Sequence, residues 1–435
     1  MLQLHALNPE RYPYFLDSAA AGTPHGRFDI LFAFPGKSIW LDATQRLHGA
    51  TGDTSDFLDA LDRWLRAEQP CAPVSALPFC SGWFVYLGYE LAQQIEPTLR
   101  LPMPSGLPVA FATRMGAAVI RDHRTDTMFV TADDPADAAL IGSDINSLPR
   151  HDPDGDRMML SAVREEEPGQ FINAVMQAKR HIYAGDVFQA NLSRGWHARL
   201  FGPVADVGLY RRLRASNPGP FAGLVRWGDN AIISSSPERL LQVLDGRAST
   251  RPIAGTRPRG QSAEDDEELS HELLDNAKEL AEHTMLIDLE RNDLGRVCAA
   301  GSVVVDEMMT LETYAHVHHI VSNVTGTLRD DVSAVHAMRA VFPGGTITGC
   351  PKVRCMEIIA QLEQAARGAY TGSFGYLDRS GNCDLNILIR TLVRNGREIS
   401  VRAGAGIVAD SIPEHELEET RAKARGMLQA LGAEL

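Results

Sequence analysis

Cysteine, basic charge, aromatic rings and long apolar runs are all scarce in this chain of 435 residues. The six cysteines (Cys71, Cys80, Cys298, Cys350, Cys355 and Cys383) form no CxxC pair and no Cys/His spacing suited to zinc, so neither a disulfide framework nor a zinc site organises the fold. Reduced thiols are expected. Cys350, in GCPK, has no assignable base, so packing is its expected role. Acidic residues outnumber basic ones 56 to 42, a net charge of −14, which opposes nonspecific binding to nucleic acid or to an anionic membrane. No apolar run approaches the roughly 20 residues that span a bilayer. The opening MLQLHALNPERYPYF lacks the basic-then-apolar order of a secretory signal. A cytoplasmic protein acting on a small molecule is therefore expected, with neither nucleic acid nor membrane as partner.

What is present is a 44% hydrophobic composition, enough to bury a large core over two domains or one composite domain. Residues 1–155 alternate short strands (FDILFAF, GWFVYLGYEL, MGAAVIRD, TMFVTA) with the helical DFLDALDRWLRAEQP and end in the Asp/Pro/Gly-rich ADDPADAALIGSDINSLPRHDPDGD, which reads as a linker. Residues 156–435 interleave strands such as VFQANLSRGWHARL, NILIRTLVRN and EISVRAGAGIVAD with helices. Those helices lie at GQFINAVMQAKRHIYAGD, AEDDEELSHELLDNAKELAEHTMLIDLERND, DVSAVHAMRAVF, PKVRCMEIIAQLEQAA and from Glu414 onward. The fold class expected is α/β (α+β) with large sheets.

Several residues suit chemistry on a carboxylate-bearing substrate. RPIAGTRPRG, Arg251 to Gly260, packs two prolines, two glycines and three arginines into ten residues and reads as an anion-facing loop rather than a strand, with an ordinary surface turn as the alternative. Glu279 and Glu282 share one helical face, as do Glu416 and Glu419, the latter pair preceding Lys423. Each pair alone is a solvated helix face. Only if the fold brought the four carboxylates together would they need a cation, and oxygen-only donors select Mg²⁺. Arg390 closes the apolar run NILIR as either a snorkelling side chain or a ligand clamp. Gly404 and Gly406 in AGAG, and the glycines of GGTITG, leave backbone amides open to an anion. Tyr376 and Thr346 offer hydroxyls. For proton transfer the candidates are Glu238, in SSSPERL, and His319, in VHHIVS, against the alternatives of a surface ion pair and a core histidine.

Taken together and in order, SSSPER, RPIAGTRPRG, NAKELAEHTMLIDLERNDLGRV, HHIVSNVTG, GGTITGCPKVRCMEII, GSFGYL, LIRTL, AGAGIVADS and ExxETxxK resemble the chorismate-utilising enzymes over most of residues 160 to 430. Within that family the chain resembles the large synthase subunits that aminate chorismate. The resemblance implies a composite two-sheet sandwich with flanking helices and an active site that binds chorismate with Mg²⁺. It further implies Glu282 and Glu419 as principal metal ligands, with Glu279 and Glu416 beside them. His319, Thr346, Tyr376, Arg390, Gly404, Gly406 and Lys423 match substrate-contacting positions, and Glu238 matches the acid near the departing C4 hydroxyl.

Two positions discriminate within the family. In family members that add water, a lysine that activates the water resembles the position filled here by Gln189, and glutamine is no base at neutral pH, so ammonia is the expected nucleophile. Where one aminating subgroup reads PIKGT, with a lysine that attacks C2, this chain has Ala254, which closes the covalent route at that residue. The N-terminal GRFDILFAFP and WFVYLGYELAQQIE resemble the subunits that aminate at C4, and Leu16–Ser18 resembles a tryptophan-binding segment. No nucleophilic-cysteine elbow with a later histidine is visible, so a separate glutamine amidotransferase subunit is the expected source of ammonia.

Overall fold

The computed structural model describes residues 1–19, 26–50, 52–68, 77–149, 159–202, 206–260, 262–313 and 317–433. Cys71 lies outside them. Mixed helix and sheet is what these residues build, as the hydrophobic periodicities require.

The strands form one curled antiparallel sheet folded into two layers. In the first layer, Gln189–Phe201 pairs with Glu398–Ile407, which pairs in turn with Thr391–Asn395. Asn230–Ser236, Phe221–Trp227, Tyr14–Asp17 and Phe28–Leu41 follow. In the second layer, Ala110–Asp122 pairs with Gly82–Leu87, followed by Ser373–Asp378, Cys383–Asn386, Arg239–Leu244, Arg247–Thr250 and Val317–Thr327. The long strands Phe28–Leu41 and Ala110–Asp122 pair along their whole length and join the layers, with a register shift between Pro35 and Ser38 where the sheet bends. Strands from before and after residues 150–158 therefore pair directly.

Side-chain alternation explains why two layers form. Along Phe221–Trp227 and its neighbour, Ala222, Leu224, Ala231 and Ile233 face an outer helix layer, whereas Val225 and Ile232 face inward. Along Gly82–Leu87, Phe84 and Tyr86 face inward while Trp83, Val85 and Leu87 face the other helix layer. The interlayer core is aromatic: Tyr14 stacks on Phe84 at 4.2 Å and Phe111 on Trp227 at 4.2 Å. Both faces of each layer are thus apolar, and helices cover the outside. Phe57–Ala67 and Ala334–Val341 contribute to one cover, and Asp206–Ser216 with Pro413–Ala430 to the other.

Four expectations are corrected. The stretch read as a linker contains a helix, Pro135–Ser147, whose N-cap Asp134 accepts from the Ala136 amide and whose Ile141 is buried; a single buried apolar residue leaves little periodicity to detect. RPIAGTRPRG is largely a strand, Ile253–Pro258, paired with Val317–Thr327. Gly255, at φ +69, absorbs a register shift between Ala254 and Thr256, so the glycine makes a bulge rather than a loop. The long acidic helix divides at Asn276 into Ala263–Asp275 and Ala277–Gly295, and the Asn276 side chain accepts from the Glu279 amide as a new cap. NILIRTLVRN is not one strand: Asn386 ends the strand Cys383–Asn386 in one layer, residues 387–390 lie in no strand, and Thr391–Asn395 forms in the other layer, with Arg390 in the break at φ +54.

Candidate functional site

Two adjacent crossovers between the layers create the site. At one, Asn230–Ser236 leaves the first layer and Arg239–Leu244 enters the second, with Glu238 between them. At the other, Cys383–Asn386 leaves the second layer and Thr391–Asn395 enters the first, with Arg390 between them. The crossovers are tied together. Ile387 N donates to Glu238 O (3.0 Å), Ser236 Oγ to Ile387 O (2.5 Å), and Ser235 N to Arg390 O (3.1 Å). Strands that switch layers cannot complete their ladders there, so polar side chains collect at the seam.

Glu238 is 5% exposed and accepts from Thr346 Oγ1 at 2.7 Å. Burial and the nearby Glu290 carboxylate push its carboxyl up to about 8, while the Thr346 hydroxyl and the Lys423 charge pull the other way. It therefore holds a proton at neutral pH. His319 lies on Val317–Thr327, and burial pulls it down to about 4, helped by the Arg390 charge, so its ring is neutral. Arg390 donates to the Lys423 carbonyl, and its guanidinium interacts with Tyr370 and Glu419. The Lys423 ammonium donates to Gly404 O (3.1 Å) and pairs with Glu419 at 2.6 Å. Glu238, Thr346, His319, Arg390, Lys423 and Gly404 thus share one neighbourhood.

Gly404 is dictated by crowding: a Cβ there would lie 2.6 Å from Leu192 O and 2.7 Å from the Tyr370 hydroxyl. At Gly406 a Cβ would lie 2.3 Å from Gln189 Nε2. Gln189 is buried, and its Oε1 has no hydrogen-bond partner. Ala254 pairs through its backbone with Ile320, and its side chain lies outside the described residues.

Tyr376 is not brought to this neighbourhood. It packs edge-on against Phe79 at 5.8 Å in the interlayer core and borders a separate cavity of about 840 Å³ with Leu16, Asp17 and Ser18. Tyr370, which motif reading passed over, is at the site instead, and its placement between Gly368 and Gly372 is the signal that marked a turn there. Two further residues beneath it were also missed. Arg367 and Glu363 form a buried pair at 2.6 Å. Arg367 donates to Ile347 O (3.1 Å) and Asn191 O (2.7 Å), and Glu363 accepts from Ser193 N (2.8 Å). This pair clamps the GGTITG turn onto the strand that carries Gln189.

The arginines of RPIAGTRPRG face the protein's own carboxylates. Arg251 pairs with Glu312 (2.5 Å) and Glu307 (2.7 Å), Arg257 with Glu279 (2.7 Å), and Arg259 with Asp266 (2.7 Å). Among the described residues, no group of three or more His, Cys, Asp or Glu side chains is gathered as a metal site. Glu279 and Glu419 are instead held by Arg257 and Lys423. The donor chemistry still fits a hard cation, because Glu279 Oε2 is buried with no hydrogen-bond partner. Glu282 and Glu416 are half-buried on the same two helices.

These features belong to a chorismate-utilising enzyme: residues 12–429 match the chorismate binding enzyme family, and the chain is a member of it. An anthranilate synthase component I-like protein of Synechocystis is 45% identical over 82% of this chain and 73% of its own. Anthranilate synthase component 1 of Thermus thermophilus is 39% identical over 96% and 92%. Aminodeoxychorismate synthase component 1 of Bacillus subtilis is 50% identical, over 60% of this chain and 55% of its own. The crystal structure of anthranilate synthase component I from Streptococcus pneumoniae superposes with a TM-score of 0.81 at 33% identity, covering 93% of each chain.

Proposed function

We propose that the chain is component I of an aminodeoxychorismate synthase, converting chorismate and ammonia to 4-amino-4-deoxychorismate, the precursor of 4-aminobenzoate and folate. The observation that carries it is Glu238, a buried carboxyl that keeps its proton at neutral pH and is aimed by Thr346 beside Arg390 and His319. Such a group serves as the acid that protonates a departing hydroxyl. Arg390, Lys423 and the amides around Gly404 and Gly406 bind the carboxylates of the substrate and hold its ring against Glu238. Neutral His319 orients the incoming ammonia, and the proton that the new amine releases passes to solvent. Gln189, standing where a water-activating lysine would be needed, leaves water without a base and favours ammonia.

Mg²⁺ would be held by Glu282 and Glu419, with Glu279 and Glu416 beside them, and when bound it supplies charge neutralisation for a substrate carboxylate. Its arrival requires Arg257 and Lys423 to give up the glutamates they now hold. A separate glutamine amidotransferase subunit, forming a heterodimer in the cytoplasm, delivers the ammonia.

The alternative reading is anthranilate synthase component I, favoured by relatives of that name that span nearly the whole chain. The two differ in whether ammonia enters at C4 or C2. Purified protein given chorismate, Mg²⁺ and ammonium chloride is expected to form a non-fluorescent product of the mass of aminodeoxychorismate, convertible to 4-aminobenzoate by added lyase. A fluorescent product with the mass of anthranilate would replace this reading with the alternative, and no consumption of chorismate would remove both.

A further inference from the structure

Asn191 stands opposite Gly406 in the pairing of Gln189–Phe201 with Glu398–Ile407, so Gln189, Asn191, Gly404 and Gly406 all lie on one face of the sheet. Each carboxamide leans along its strand over a glycine. A Cβ on Gly406 would lie 2.3 Å from Gln189 Nε2, and one on Gly404 would lie 2.9 Å from Asn191 Oδ1 and 2.7 Å from the Tyr370 hydroxyl. The two amides thus fill the strip that the missing side chains leave. Their backbones are pinned: Asn191 N donates to Thr348 O at 2.9 Å, Asn191 O accepts from Arg367 at 2.7 Å, and Gln189 O accepts from Cys355 Sγ at 3.0 Å. The side-chain oxygens are not. Gln189 Oε1 and Asn191 Oδ1 are both buried, and among the described residues neither has a hydrogen-bond partner. Buried acceptors left unpaired are costly, and two on one face of one strand call for a ligand that donates.

The rest of the neighbourhood supplies donors: Arg390, Lys423 and the Tyr370 hydroxyl. Those match the carboxylates of the substrate. A pair of neutral acceptors matches its reaction partner, because ammonia carries three N–H donors and one lone pair. A carboxylate in place of either amide would favour ammonium, which has no lone pair to give; carboxamides do not, and the Arg390 charge nearby disfavours a second cation. We propose that Asn191 Oδ1 and Gln189 Oε1 are the acceptors that seat ammonia, each taking one of its N–H bonds so that its lone pair is left for the ring. The inference rests on the reading of the chain as a chorismate-aminating enzyme, and Asn191 is the residue it adds.

The test compares wild type with Asn191→Leu, which keeps the volume and removes the acceptor, and with Asn191→Asp, which keeps an acceptor but favours ammonium. Asn191→Leu is expected to raise KM for ammonia about tenfold while KM for chorismate moves less than about twofold. Asn191→Asp should lower kcat with no rise in KM for total ammonium. A KM for ammonia that is unchanged in Asn191→Leu, or that rises no more than KM for chorismate, overturns the proposal. Substrate-free protein carrying ¹⁵N in its asparagine side chains gives a second reading. The Asn191 resonance, identified by its loss in Asn191→Asp, should shift on titration with ammonium chloride at about pH 9 and stay in place with equal sodium chloride. No shift, or the same shift with both salts, overturns the proposal, and this arm decides alone should Asn191→Leu not fold. It uses no chorismate, so an ammonium-specific shift in a protein that leaves chorismate unconsumed would remove the functional reading and keep the subsite.

Discussion

Two buried glutamates a short distance apart in the same fold behave in opposite ways. Glu363 and Glu238 are both almost removed from water, yet burial dominates only at Glu238. At Glu363, Arg367 and Arg402 overcome burial and hold the carboxyl below its usual range; at Glu238 only the Thr346 hydroxyl, a backbone amide and the Lys423 charge oppose burial, and the Glu290 carboxylate adds to it. The first arrangement is structural, an ion pair that fastens the GGTITG turn to the strand bearing Gln189. The second is costly for the folded protein and is retained at the seam between layers, where a proton is useful. Which cations the fold supplies separates a clamp from an acid more reliably than burial does.

The contrast can be broken at several points. Glu363→Ala leaves Arg367 buried without its partner and should cost about 3–5 kcal/mol of stability, seen in denaturant unfolding. Glu238→Gln should do the reverse as pH rises. A carboxyl held near 8 in the folded chain and 4.5 when unfolded takes up a proton on folding between those values, so wild-type stability falls across that window. The Gln variant lacks that contribution and should gain roughly 2–5 °C in Tm over wild type by pH 8, with no gain below pH 4.5. Parallel pH dependence in the two proteins would mean that Glu238 ionises normally.

Smaller effects sharpen the boundary of the site. Gly404→Ala forces a methyl against the Leu192 carbonyl and the Tyr370 hydroxyl and should lower kcat/KM about tenfold or more, whereas Gly406→Ala meets only the movable end of Gln189 and should cost less. If the Tyr370 hydroxyl hydrogen-bonds the bound substrate, Tyr370→Phe should lower kcat/KM severalfold, about 1 kcal/mol, and Tyr376→Phe less than about twofold. Equal losses for the two tyrosines would place the site nearer the Leu16–Ser18 cavity.

Much of this was legible in the sequence. The apolar run AGLVRW and the helical spacing in GQFINAVMQAKRHIYAGD specify their elements locally, and both form as read. The failures share a cause: they depend on partners distant in sequence. Gly255 makes a bulge because residues 317–321 pair beside it. NILIRTLVRN divides because Asn386 pairs with Arg239 in one layer whereas Thr391–Asn395 pairs with Asn230–Ser236 in the other, which leaves residues 387–390 as the crossover. Glu238, Thr346, Arg390 and Lys423 could be nominated by residue type, but their meeting at paired crossovers is a property of topology. Tyr370, Glu363 and Arg367 carried no motif strong enough to stand out. The four glutamates at 279, 282, 416 and 419 lie on two helices, and among the described residues they are not gathered into one group.

The central claim is that Glu238 donates the proton to the departing hydroxyl, and the rate of chorismate consumption by wild type and Glu238→Gln, across pH 6 to 10 with Mg²⁺ and ammonium, tests it most directly. Wild-type kcat should fall with an apparent midpoint near 8, and the Gln variant should be slower by about 10²- to 10⁴-fold with no such limb. A Gln variant that turns over within a few-fold of wild type, or that keeps the same alkaline limb, would contradict the account.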